Sequence, residues 1–172
     1  GLGDVYKRQG HSRAVSSAGM EHFTGTEAGG RLFHDVIDRP MDERELAAVN
    51  AAGADFAQRL GLVLTHCSSV KVEGYLDARA EHLQPAGIVN GGVYAAIGES
   101  LGSIAAVAAT AKPAVGMSNY TDLLGSVREG QRIEATALPV HTGRSTHLWR
   151  VDMRCGGKLV AVTNLKLMIL GG

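Results

Sequence analysis

One carboxylate stands alone in a long apolar part of the chain. Glu99 is the only charged residue between Glu81 and Lys112, in a stretch rich in Ala and Gly. A carboxylate in such surroundings costs free energy unless it is paired or takes part in chemistry. Two interpretations follow: a core Glu that is bonded to backbone or water, and a nucleophile or general base. The residues on its N-terminal side favour the second.

Two consecutive glycines, Gly91 and Gly92, open the helix that is predicted to carry Glu99. The first turn of a helix has free N–H groups, and glycine lets a substrate approach the backbone closely. Such donors suit the oxyanion that develops when a carbonyl carbon is attacked. A plain loop-to-helix turn is the alternative, because Gly is common in this chain, at 23 of 172 residues.

Residues 82–103 resemble the signature of hotdog-fold acyl-CoA thioesterases, the phenylacetate-pathway (PaaI-like) and aryl-CoA group. In that family the pattern is His-x-Asn/Gln-x-x-Gly-x-x-His-Gly-Gly, with an acidic residue nine positions after the second His. This chain supplies, at those spacings, His82, Gln84, Gly87, Gly91, Gly92 and Glu99. The similarity continues through Val115-Gly116, Pro139-x-His141-x-Gly143-Arg144 and Trp149, and it covers roughly Leu60 to Leu170.

The resemblance implies a thioesterase that hydrolyses an aromatic or medium-chain acyl-CoA, with no cofactor besides the coenzyme A of the substrate. The catalytic residues it implies are Glu99, Gln84, Asn90, Gly91 and Ser103. The substrate-binding and CoA-binding residues it implies are Gly92, Val115, Gly116, Met117, His141, Gly143 and Arg144. Glu99 would attack the thioester or activate a water, and the Gly91 N–H would hold the oxyanion with help from Gln84 or Asn90. Tyr94, Ile97 and Met117 are expected to line the acyl pocket.

Several of these residues have plain structural alternatives. Ser103 would orient Glu99 or a water, or it would only fill a tight contact. Arg144 would pair with a CoA phosphate, or it would be a solvated turn residue. His82 is interpreted as a structural hydrogen-bonding residue, and Trp149 as a residue of the sheet face without chemistry.

Two positions depart from the family pattern. Asn90 replaces the second His of the motif, and Leu123 lies where some relatives have a His. An Asn side chain donates a hydrogen bond but cannot carry a proton. The departure leaves a rival open, a non-catalytic acyl-CoA-binding protein, and argues against a hydratase or dehydratase that relies on His. A purely structural dimer would leave Glu99 unexplained.

The spacing between Gly91 and Glu99 indicates a site that is shared between two chains. Eight residues of helix span about 12 Å, whereas reacting atoms stand about 3–3.5 Å apart. One helix therefore does not offer both groups to one thioester, but two antiparallel copies do, in agreement with the family's sites at a dimer interface. The expected partners are a second copy, with a homotetramer implied by the resemblance. The Gly98 and Gly102 pair permits close approach either of another copy or of a sheet.

The elements that position these residues follow from periodicity and turn signals. We predict a helix over Met41–Leu60, with a capping-box start at Asp42 and Glu45 and one apolar face formed by Leu46, Val49, Phe56 and Leu60. A strand or bulged pair is predicted over Val63–Ala78, and a buried helix from Val93 to about Ala109. The predicted strands then cover Val115–Leu124, Ile133–Ala137, Trp149–Met153 and Lys158–Leu170, with Gly156-Gly157 as a hairpin turn. This is an α+β domain over residues 31–172 in which an antiparallel sheet wraps around one buried helix, the hotdog fold of the resemblance.

Composition excludes several other classes. Lys plus Arg equals Asp plus Glu at 17 each, without a basic cluster, so nucleic-acid binding is not expected. No uninterrupted apolar stretch is long enough for a membrane span, and the histidines lack the spacing of metal ligands.

Cys67 and Cys155 are interpreted as ordinary thiols of a cytoplasmic protein. Residues 1–30 are expected to be a disordered lead-in, of which 1–10 are interpreted as non-native adapter sequence.

Overall fold

A computed structural model describes Phe33 together with residues 36–51 and 55–171 of the chain. The predicted lead-in over residues 1–30, with its adapter segment, lies outside these residues. The helices are α1 (Glu43–Ala51), α2 (Phe56–Leu60) and α3 (Gly91–Thr110), with a short 3-10 turn at Ala80–His82. The strands are β1 (Leu62–Cys67), β2 (Val72–Asp77), β3 (Ala114–Leu123), β4 (Arg132–Thr142), β5 (Thr146–Cys155) and β6 (Lys158–Ile169).

The helix predicted over Met41–Leu60 is wrong in its length, because two helices occupy this part of the chain. The predicted capping box is present: the Asp42 N–H donates to the Glu45 carboxylate, and the Glu45 N–H donates to Asp42 Oδ1. A second helix start follows at Asp55, which caps α2. The backbone of Asp55 is extended, and its Oδ1 accepts a hydrogen bond from the Gln58 N–H. Phe56, predicted on the buried face, is two-thirds exposed because it opens this second helix.

Six antiparallel strands form one sheet in the order β1-β2-β4-β5-β6-β3. Of the two readings for Val63–Ala78, the bulged pair is correct: β1 and β2 form a hairpin whose register shifts between Leu64 and His66. The Gly156-Gly157 hairpin turn is confirmed, and both glycines have the positive φ that such turns need. The sheet and α3 together confirm the predicted hotdog fold.

The long helix α3 lies across the sheet and contacts all six strands. Its length and apolar composition are those of a membrane span, yet it forms the centre of the protein core. Two glycines let it lie close to β6: a Cβ on Gly98 would be 2.5 Å from Thr163 Cβ, and one on Gly102 would be 2.6 Å from Leu165 Cδ2. The glycine pair therefore serves helix-to-sheet packing.

The two edges of the sheet differ in how they are covered. At the β1 edge, the Asn50 amide donates to the Leu64 carbonyl and accepts from the Leu64 N–H, at 2.9 and 2.8 Å. The Met41 N–H also donates to the Cys67 carbonyl. At the other edge, β3 pairs only with β6 within the described chain, and most of its ten residues are exposed. An exposed strand edge is a ready partner for another strand.

Candidate active site

A tight loop between the 3-10 turn and α3 presents the residues of the motif. The Gln84 N–H donates to the Ile88 carbonyl and the Gly87 N–H donates to the Gln84 carbonyl, which closes a turn. Gly87 has a φ of +75° in this turn, a conformation that favours glycine. The Gln84 side chain is half-buried beside it. The Asn90 N–H donates to the His82 carbonyl, so the loop returns to its own start.

His82 fixes the base of this loop. Its ring is buried, and Nδ1 accepts a hydrogen bond from the Arg79 N–H at 3.0 Å. Because Nδ1 is an acceptor, the ring proton of the neutral form lies on Nε2, which has no partner among the described residues. These contacts give His82 a structural place in the loop.

At the start of α3, Asn90 is the helix cap. Its Oδ1 accepts from the Gly92 N–H at 2.8 Å, so the Gly92 N–H is already bonded. The Gly91 N–H has no acceptor among the described residues and remains available to a substrate. The side chain of Leu123 covers the Cα of Gly91, because a Cβ at Gly91 would lie 2.7 Å from Leu123 Cδ1.

Two turns further along α3, the half-buried carboxylate of Glu99 points to strand β3. Its Oε1 faces Gly116, where a Cβ would lie 2.5 Å away, and its Oε2 accepts from Asn119 Nδ2 at 3.3 Å. Glu99 forms no salt bridge within the described part of the chain. A carboxylate held in this way keeps one oxygen free to act on a substrate. Ser103, one turn later, is also half-buried and makes no hydrogen bond to Glu99.

Asn119 is the residue of this region that sequence reasoning missed. Besides Glu99, its Nδ2 donates to the Ala95 carbonyl at 3.0 Å, and its Oδ1 accepts from the Thr121 hydroxyl at 2.8 Å. The available signal was a pair of polar residues, Asn119 and Thr121, at alternate positions of a strand that faces an apolar helix.

The predicted CoA-binding residues form two groups at one end of the sheet. Val115, Gly116 and Met117 are exposed at the start of β3, and His141, Gly143 and Arg144 lie at the β4–β5 turn. Both Val115 and Thr146 are in register with Met168 on β6, which places the two groups at the same end. The Gly143 N–H donates to the Thr146 carbonyl and closes the turn.

The prediction that Tyr94 and Ile97 line an acyl pocket is wrong for the single chain. Both are almost completely buried in the core, because the face of α3 that carries them lies against the sheet. Met117 is about half exposed and remains accessible. Of the other residues discussed above, Trp149 is fully buried in the sheet and its Nε1 donates to His147 Nδ1. Both cysteines are free thiols, and burial raises the pKa of Cys67 to about 12.

A groove of about 640 Å³ lies on the opposite face of the sheet and contains none of the predicted site residues. Its arginines are paired with acids, Arg132 with Asp77 and Arg150 with Asp152. Across the described residues, no group of three or more His, Cys, Asp or Glu is arranged to hold a metal ion. The candidate site is the arrangement of Gly91, Glu99 and strand β3.

Comparison with known proteins places the chain in a family. The profile of the thioesterase superfamily matches residues 86–162. The Mycobacterium tuberculosis protein Rv1847 is 39% identical over 103 residues, covering 57% of this chain and 73% of the relative. Its solved structure has a TM-score of 0.66 at 35% identity, covering 68% of this chain and 97% of that one.

Two other relatives have names that include a substrate or a pathway. A mutant of the phenylacetic acid degradation protein PaaI from Thermus thermophilus is 31% identical, with a TM-score of 0.64, covering 67% of this chain and 98% of that one. The 1,4-dihydroxy-2-naphthoyl-CoA hydrolase of Escherichia coli is 27% identical over 111 residues, covering 63% of this chain and 81% of the relative. Since the chain is 39% identical to Rv1847 and covers 73% of it, the chain belongs to the thioesterase superfamily as a PaaI-like hotdog thioester hydrolase.

Proposed function

We propose that this protein hydrolyses an aromatic or medium-chain acyl-CoA at a site shared between two protomers. Glu99 of one protomer acts as nucleophile or general base, and the Gly91 N–H of the other holds the oxyanion. The observation that carries this proposal is the position of the Glu99 carboxylate, which lies against Gly116 on the exposed edge strand β3.

The two groups lie at opposite ends of β3 within one chain. Glu99 faces Gly116 near the start of the strand, whereas Gly91 lies under Leu123 at its end. If two β3 strands pair in antiparallel fashion about their middle, the start of each lies opposite the end of the other. This pairing brings the carboxylate of one protomer to the oxyanion donor of its partner, and it covers the exposed apolar side chains Val115, Met117, Tyr120 and Leu123.

Hydrolysis on this arrangement follows one of two balanced routes. In the first, Glu99 takes a proton from water, the hydroxide adds to the thioester carbonyl, and collapse expels the CoA thiolate, which recovers the proton. In the second, Glu99 adds to the carbonyl itself and expels the CoA thiolate, which leaves an anhydride. Water then cleaves the anhydride to the free acid and the Glu99 carboxylate and supplies the proton that the thiolate takes up. In both, negative charge grows on the carbonyl oxygen, and the Gly91 N–H stabilises it with help from Gln84 or the Asn90 amide nitrogen.

The names of the relatives support an aromatic acyl group. One relative is named a phenylacetic acid degradation protein, and another is named a 1,4-dihydroxy-2-naphthoyl-CoA hydrolase. The exposed start of β3 and the β4–β5 turn with Arg144 are the proposed contacts for coenzyme A. The assembly proposed is a dimer through β3, paired into a homotetramer, acting in the cytoplasm without a further cofactor.

A second candidate is an acyl-CoA-binding protein without turnover. The Asn90 cap favours it, because its Oδ1 is bonded to the Gly92 N–H and the side chain has no proton to transfer. The two candidates differ only in whether the bound thioester is cleaved.

Thiol release from benzoyl-, hydroxybenzoyl-, phenylacetyl- and medium-chain acyl-CoA tests the proposal. Wild type should turn over at least one ester, and Glu99→Gln should lose at least about 100-fold in kcat. Glu134→Gln, on the opposite face of the sheet, is the matched control and should retain full activity. Binding of these esters without hydrolysis by wild type would establish the second candidate.

The shared site has its own test. Glu99→Gln and Gly91→Val chains, each inactive alone, should regain part of the activity when they are co-expressed and purified as a mixed dimer. Mixed dimers without activity would show that both groups act within one chain.

A further inference from the structure

We infer that Asn119 is a positioning residue for Glu99 and leaves Oε1 as the oxygen that reacts. The inference rests on the proposed function of Glu99 and adds to it a residue that is absent from the sequence motif. It is carried by a chain of hydrogen bonds that runs from the core to the carboxylate.

The chain of hydrogen bonds begins in the protein interior. Thr163 is fully buried under Gly98, and its hydroxyl lies 2.7 Å from the hydroxyl of Thr121. Thr121 donates to Asn119 Oδ1 at 2.8 Å, and Asn119 Nδ2 then donates to Glu99 Oε2 at 3.3 Å. Three residues on two strands therefore connect the core of the sheet to the side chain of Glu99.

Each hydrogen bond in this network has only one possible donor and one possible acceptor. The single proton of the Thr121 hydroxyl goes to Asn119 Oδ1, so Thr163 must donate to Thr121. The Asn119 amide has two N–H groups, and both find acceptors, Glu99 Oε2 and the Ala95 carbonyl. A flipped amide would set its oxygen against these two acceptors, so the network determines the orientation. Hydrogen bonds aligned in one direction strengthen one another.

The two oxygens of Glu99 are consequently not equivalent. Oε2 is held by Asn119, whereas Oε1 lies in the space that a side chain on Gly116 would fill, at the exposed edge strand β3. The edge of β3 is where the partner's oxyanion donor is proposed to lie. A long Glu side chain has several rotamers, and one bond to Oε2 selects the rotamer that presents Oε1 to the substrate.

Substitutions along the chain test this role in the full-length protein. Asn119→Leu removes the bond and should lower kcat by about 10- to 100-fold with KM changed less than about twofold, since only the reacting carboxylate is misplaced. Thr121→Val should lower kcat by a smaller factor. Thr121→Ser keeps the hydroxyl and should restore wild-type kcat. Thr136→Val, the same change on the opposite face of the sheet, is the matched control.

The outcomes separate this inference from the proposed function. Wild-type kcat in Asn119→Leu, with Glu99→Gln inactive, would overturn the positioning role and leave the function of Glu99 intact. Wild-type kcat in Glu99→Gln would overturn the proposed function. Circular dichroism and thermal melts check folding. If Asn119→Leu does not fold, the Thr121→Val and Thr121→Ser pair decides, and equal kcat in both would refute the inference.

Discussion

The carboxylate of Glu99 occupies the space that a side chain on Gly116 would fill. A Cβ built on Gly116 would lie 2.5 Å from Oε1, closer than any ordinary contact between these atoms. Gly116 does not adopt a left-handed conformation, so the constraint at this position is space, and a Cβ here would displace the end of the Glu99 side chain. Gly116 lies in the part of the sequence that resembles the family, and the contact with Glu99 gives a physical reason for a glycine at this position.

Gly116→Ala should therefore act through Glu99. The added methyl displaces the carboxylate, and we expect kcat to fall by about 10-fold or more with little change in KM. The thermal midpoint should fall in the wild-type background but not in Glu99→Ala, where the carboxylate is gone. Equal losses of stability in both backgrounds would place the cause elsewhere on β3.

Alanine substitutions at the two glycines of α3 that face β6 should lower the free energy of unfolding by different amounts. Gly98→Ala directs its methyl at Thr163 Cβ, close to the backbone, whereas Gly102→Ala meets Cδ2, the flexible end of Leu165. Overpacking costs about 1–3 kcal/mol, and replacing a helical Gly by Ala returns up to about 1 kcal/mol. We expect urea unfolding to show a clear loss for Gly98→Ala and a smaller one for Gly102→Ala. The reverse order would contradict the packing described here.

Asn50 should stabilise the β1 edge of the sheet. In Asn50→Leu, the N–H and the carbonyl of Leu64 both lose their hydrogen-bond partner. A backbone group that stays buried without a partner lowers the free energy of unfolding by about 1–3 kcal/mol. Chemical unfolding measures this loss, and light scattering should show more aggregation because a strand edge is uncovered. Asn164→Leu, at a half-buried position on β6, is the comparison and should change stability less.

Glu45 should make stability depend on acid pH. Hydrogen bonds from Arg39, and then from the Asp42 backbone, lower the pKa of Glu45 from 4.5 to about 2. Because the pKa is lowered on folding, the contribution is complete above pH 4.5 and is lost as the pH falls from 4.5 toward 2. Thermal melts should place Glu45→Gln below wild type at pH 6, with the difference closing toward pH 2. A difference that is constant with pH would exclude the charge of Glu45 as its source.

The sequence predicted those features that depend on near neighbours along the chain. The Asp42–Glu45 capping box spans four residues, and the alternation of Trp149, Val151 and Met153 marks β5 directly. The order of helices and strands followed from such local signals, whereas the hotdog fold was implied by the resemblance of residues 82–103. The division of the first predicted helix was missed because an Asp inside a helical pattern gives no sign that it will cap a new one.

Contacts between residues that are far apart in the sequence were harder to predict. Asn119 reaches Glu99 only because the register of β3 shifts between Gly116 and Ser118, and a slip of one residue would turn its side chain to the other face. Tyr94 and Ile97 were misplaced for a related reason. A helix that is apolar on all sides does not reveal which face meets the sheet.

The unequal edges of the sheet have a consequence for assembly. Asn50 bonds both backbone groups of Leu64 at the β1 edge, so two chains that join through β3 would carry this bonded residue at both outer edges of the combined sheet. A further strand that approached either outer edge would meet backbone groups that are already bonded, which disfavours continued strand addition. The amide that bonds β1 within a single chain would thereby also oppose growth of the sheet beyond two copies.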